Sequence, residues 1–149
     1  MSRRTKQIRI CMVLLMLNLL FIWGNSLLPA EVSQSISGWV AEILPIRQTT
    51  VVSEMKFHLI RKLAHFLEFT ALGLLLRWLL YLLQKHGGYA LLLGLTAACV
   101  DEIIQTFVPG RGPGLKDVGI DACGVMAGMI LMQAGYYVIR KIQNKQIGG

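Results

Sequence analysis

Three short stretches of the chain place titratable residues at helical spacing. In RKLAHFLEFTALG, Arg61, His65 and Glu68 stand four and three residues apart, so a helix carries all three on one face. In DEIIQTF, Asp101 and Gln105 stand four apart, with Glu102 beside them. In KDVGIDACG, Asp117 and Asp121 are again four apart, and Gly124 and Gly128 continue their stripe and permit close helix contact. His65, Glu68, Asp101 and Asp121 are the candidates for general acid–base work. One histidine with several carboxylates also suits Mn, Fe or Zn. No strong metal motif such as His-Glu-x-x-His is present, so metal-free acid–base chemistry ranks first and no residue is assigned as a metal ligand. Arg61, Lys62, Arg111 and Lys116, with Glu102, Gln105 and Asp117, form the candidate ligand-binding set. The cations would hold phosphate, bidentately where the residue is arginine, and the acids would orient the cations. No activated serine or cysteine triad is present; Ser26, Ser33 and Ser37 read as caps and loop residues.

These groups must be positioned by elements that fit hydrocarbon. Of the 149 residues, 54% are hydrophobic and only 15% charged, against about a quarter charged in a soluble domain. The charges are clumped, which leaves four long apolar runs at about residues 8–28, 63–83, 89–108 and 118–139. Each is close to the roughly 20 residues with which a helix crosses a bilayer. The reading is an all-α membrane bundle of four transmembrane helices in one domain, residues 1–149, with the lipid bilayer as its first partner. The first run follows a basic start, MSRRTKQIR, but is too long for a signal peptide and lacks a small-x-small cleavage site, so it reads as a retained anchor.

The net charge of +7 does not indicate nucleic acid, because the basic residues sit at the ends of the apolar runs. With both termini cytoplasmic, nine Lys and Arg fall inside, counting a snorkelling Arg77, and six fall outside. Four of those six, Arg61, Lys62, Arg111 and Lys116, flank the polar residues. In this topology all three polar sets fall in one layer, roughly 3–12 Å below the outer edge of the hydrocarbon. The connector PGRGPGLKD covers that layer and presents Arg111 and Lys116. Between the first two runs, Val32, Ile36, Trp39, Val40 and Ile43 recur at helical spacing before Pro45. They predict a short extracytoplasmic helix, lying on the membrane surface or packed over the bundle. Asn18 and Asn25 read as interhelical hydrogen-bond groups. Cys11, Cys99 and Cys123 lie in apolar runs, imply no disulfide, and read as small packing residues.

The stretches RKLAHFLEFTALG and DEIIQTFVPGRGPGLKDVGIDACGVMAG, with WGNSLLPAEVSQSISGWV before them, resemble the VanZ-like family of bacterial membrane proteins. The resemblance runs from about residue 23 to 128. It implies a multi-pass protein of the bacterial cell membrane and a link to tolerance of the glycopeptide teicoplanin. The His-x-x-Glu pair marks the short, single-domain branch, whose first motif differs from that of the teicoplanin-linked member. Three functions fit the pattern. One is binding or handling of an anionic lipid or cell-wall precursor at the outer leaflet. Another is intramembrane acid–base or metal-dependent catalysis on an envelope lipid. The third is non-catalytic bracing of a membrane complex, in which the charges are a salt-bridge network. The pattern specifies neither a cofactor nor an oligomeric state.

Overall fold

The computed structural model describes residues 2–29, 31–33, 35, 50–111 and 114–147. Among them the architecture is all helical: α1 (Arg3–Ser26), α2 (Thr50–Leu82), α3 (Tyr89–Thr106) and α4 (Leu115–Ile147). All four are long and apolar enough to cross a membrane, the apolar spans being Arg3–Ser26, Leu59–Leu82, Tyr89–Thr106 and Leu115–Lys145. The expected surface helix lies mostly outside the described residues; 31–33 and 35 are helical.

Local signals explain the helix ends. The Ser2 hydroxyl accepts from the Thr5 amide at 3.2 Å and caps the start of α1. α2 closes with paired backbone bonds, Lys85 to the Leu80 carbonyl and Gln84 to the Tyr81 carbonyl. Between them Gln84 takes a left-handed conformation, φ 57°, which makes this the two-bond C-terminal turn that usually employs glycine. The helices also differ from the expected bounds. α2 begins thirteen residues before position 63 and its apolar span begins at Leu59. α4 runs on well past 139. Hydropathy marks where a helix meets lipid, whereas a helix continues into water as long as nothing breaks it.

α2 is the central helix and packs against the other three, most extensively against α4. Cross-helix bonds fix the directions. At one end of the bundle Arg4 Nε donates to the Leu82 carbonyl at 2.8 Å, joining the start of α1 to the end of α2. At the other end Asn25 Nδ2 donates to Glu68 Oε1 at 2.8 Å. Arg77 Nη2 donates to Gln133 Oε1 at 2.7 Å, and Lys62 pairs with Asp117, so α4 runs parallel to α2. Backbone proximity holds that pair together. A Cβ added at Gly128 would overlap the Thr70 carbonyl, and one at Gly124 would stand 2.6 Å from the Phe66 carbonyl oxygen.

The distribution of side chains is inverted relative to a water-soluble bundle. Leu20, Leu92 and Ile130 are 63%, 60% and 68% exposed, while Asp101, Asp121, Glu102 and Gln105 are buried. Contiguous apolar exteriors of this extent mark surfaces made for something other than water; here the four-span topology makes that lipid. A small apolar core of Cys11, Leu15, Ile22, Phe69, Leu72 and Val125 fills the interior beside the charges. Cys11 packs as expected and its thiol faces the Leu75 carbonyl, whereas Cys99 and Cys123 point outward.

Replacing Gly128 with isoleucine is expected to force α2 and α4 apart and to lower stability in detergent by about 1–3 kcal/mol or more. Gly135, which has nothing within 4 Å of an added Cβ, should accept the same change with little effect. Thermal denaturation of both variants checks this, and equal melting temperatures would contradict the backbone contact.

Candidate functional site

The site lies at the end of the bundle away from the start of α1. Four elements build it: the last turn of α1, the middle of α2, the last turns of α3 and the first turns of α4. His65 sits on α2 with its Nδ1 3.9 Å from Glu68 Oε2 and 3.9 Å from Asp101 Oδ2. Both separations exceed hydrogen-bond range, and the buried Nδ1 has no partner among the described residues. One ligand atom from each of His65, Asp101 and Asp121 lies within 4.8 Å of the others.

Asp101 is fully buried. Its Oδ2 accepts from Gln105 Nε2 at 2.7 Å, a contact that the spacing of four residues on one face makes possible. Its Oδ1 has no hydrogen-bond partner among the described residues. Asp121 is 2% exposed and receives no hydrogen bond among the described residues. Glu102 Oε2 accepts from the Gly114 backbone amide at 2.8 Å, which ties the end of α3 to the start of α4. Glu68 is held by Asn25 on one oxygen, and the other has no hydrogen-bond partner among the described residues.

The cations divide into three kinds. Arg61 and Lys62 line the pocket together with His65, Glu102, Gln105, Asp117 and Asp121. The Lys62–Asp117 pair, at 3.6 Å, is partly open to solvent, and such pairs contribute about 0–1 kcal/mol. Arg111 turns toward α1 and donates from Nη1 to the Ser26 carbonyl at 3.3 Å. Burial, and then the neighbouring Arg61, pull its pKa below the usual arginine value; it remains a cation in any ordinary solution. Its Nε is buried and has no acceptor among the described residues. Lys116 is exposed on the first turn of α4 and does not line the pocket.

The structure thus brings together ten of the eleven residues singled out in the sequence and leaves Lys116 apart. It adds two from the end of α1. Asn25 holds Glu68, and fully buried Ser26 meets Gln105 through its hydroxyl and Arg111 through its carbonyl. The signal for them was present in the polar Asn-Ser step that ends an otherwise apolar run, at the depth of the other polar groups. The free interior of the pocket is small, about 10 Å³, the space of one water or one ion. A larger ligand would meet it at the mouth, where Arg61 and Lys62 stand.

A bundle that is apolar outside and charged within, with a pocket at one end, defines a multi-pass membrane protein with an intramembrane polar site. The family model VanZ/LLP1 matches residues 10–138, and the chain belongs to that family. Among curated proteins and among solved structures, none matches the chain.

Gln105→Leu is expected to lower stability by about 1–3 kcal/mol, because the buried Asp101 carboxylate then loses its one hydrogen-bond donor. Adding Asp101→Leu should recover part of that loss, since removing both partners leaves no orphaned charge. Unfolding midpoints of the single and double variants in one detergent decide it.

Proposed function

We propose that this protein binds the phosphate-bearing headgroup of an anionic lipid or lipid-linked cell-wall precursor at the outer leaflet of a bacterial cell membrane. The observation that carries the reading is the pairing of Arg61 and Lys62 on the wall of a pocket whose surroundings are otherwise lipid-facing and apolar. A lipid brings its headgroup to that depth while its chains stay against the exterior of the bundle. Arg61 accepts phosphate geometry bidentately and Lys62 adds a point charge. Arg111, with an unfilled Nε, supplies a further donor at the edge of the site. Asp117 and Glu102 hold Lys62 and the Gly114 turn in place. The excess of Lys and Arg at the far end of the bundle supports an arrangement with both termini cytoplasmic and the pocket outside. Kinship with the VanZ/LLP1 family is the ground for expecting an effect on glycopeptide tolerance.

Native mass spectrometry of the detergent-extracted protein is expected to find a phospholipid or polyprenyl phosphate on the wild type. The Arg61→Ala Lys62→Ala double variant should lose most of it. Retention of the same lipid by the variant would count against this site. For the topology, a cysteine placed at Lys116 in a chain whose three native cysteines are replaced by alanine should react with a membrane-impermeant thiol reagent added to intact cells. Labelling only after lysis would turn the pocket toward the cytosol.

A further inference from the structure

The groups in and beside the pocket, His65 and Glu102 on its wall and Glu68 and Asp101 next to His65, do not satisfy one another. His65 Nδ1, Glu68 Oε2, Asp101 Oδ1 and Glu102 Oε1 are all buried without a partner among the described residues, and Asp101 and Glu102 are more than nine-tenths enclosed. Buried polar atoms normally have partners, so four orphans clustered at one end of the bundle call for a further partner. Acids also outnumber cations in this layer: five carboxyl groups (Glu68, Asp101, Glu102, Asp117, Asp121) stand near three cations (Arg61, Lys62, Arg111), with Lys116 exposed outside. A bound cation favours the ionised form of the carboxyl groups that hold it.

We propose that His65, Asp101 and Asp121 hold one divalent first-row transition ion, of which Mn²⁺ is the working example. The three ligand atoms already lie within 4.8 Å of one another. Bonds of about 2.0–2.2 Å set neighbouring ligands about 3 Å apart and opposite ones about 4 Å apart, so small side-chain rotations complete the set. A mixed imidazole and carboxylate donor set suits Mn, Fe or Zn better than Mg or Ca. Gln105 plays the outer role: its amide holds Asp101 Oδ2, the oxygen 3.9 Å from His65 Nδ1, and neighbouring hydrogen bonds of this kind orient metal ligands. Three protein ligands leave coordination positions open. Arg61 and Lys62 line the same pocket as His65 and Asp121, so a phosphate oxygen held by those cations would complete the sphere. In that last point alone the inference rests on the lipid reading.

The test uses the full chain in detergent, stripped with EDTA and freed of lipid, then titrated with Mn²⁺ while free Mn²⁺ is read by electron paramagnetic resonance. One ion per chain is expected, with a rise in melting temperature. Asp121→Asn and His65→Gln should each weaken binding about 100-fold or more, while Glu31→Gln, an exposed carboxylate that does not line the pocket, should bind as the wild type does. Two ligand variants are used so that the failure of one to extract leaves the other. No stoichiometric site in the wild type, or equal binding by the ligand variants, overturns the proposal. Lipid retention measured in EDTA is a separate readout: loss of ion binding with lipid kept would sink the ion alone, and ion binding with no lipid would sink the lipid alone.

Discussion

The constraint on which the rest of this structure depends is the enclosure of Asp101. A carboxylate with no access to water, in a bundle whose exterior faces lipid, must be held by neighbours. One hydrogen bond from Gln105 is the only direct one it has among the described residues. Everything near it can be understood as supporting or sharing that charge: the histidine across the interface, Ser26 behind Gln105, and Arg111 braced on the Ser26 carbonyl. Buried ionic clusters are not inherently stabilising when compared with packed apolar residues. A cluster of this kind at membrane depth, with several atoms unsatisfied among the described residues, is the ground for the ligand readings proposed above.

This view separates the competing readings of the same residues. A salt-bridge brace would close its contacts. Here the best-formed ion pair, Lys62 with Asp117, is the more exposed one, while the deeper groups stand at 3.9 Å and longer. The bracing is done instead by neutral donors: Asn25, Gln105 and the Gly114 amide each hold one carboxylate oxygen. That division leaves the second oxygen of each acid unengaged, the pattern of a site with preset walls and an open centre.

Much of this was legible in the sequence. Spacings of three and four residues gave the shared faces, and the alternating direction of the spans placed them at one depth, because both follow from helix geometry alone. The extent of α2 was not legible, since residues 50–62 are too polar to register as a span although the helix runs through them. Lys116 was misplaced for a related reason: a basic residue on a first turn can point to either side, and which one depends on the helix phase set by the turn before it. Ser26 was read as a cap. Its buried role depends on the end of α1 meeting Gln105, a contact between residues 79 positions apart that no local pattern encodes.

The glycine seam between α2 and α4 has a mechanical consequence. Where two backbones touch with no side chains between them, sliding or rolling one helix past the other meets hard repulsion almost at once. These two helices therefore act as a rigid clamp, and they carry His65 and Asp121. Asp101 rides on α3, which meets α4 partly through the branched side chain of Val125 against Gly94, a softer bearing. Relative movement of the helices thus meets less resistance at α3 and α1, the two shorter helices, than along the α2–α4 seam, which would serve as the fixed anvil.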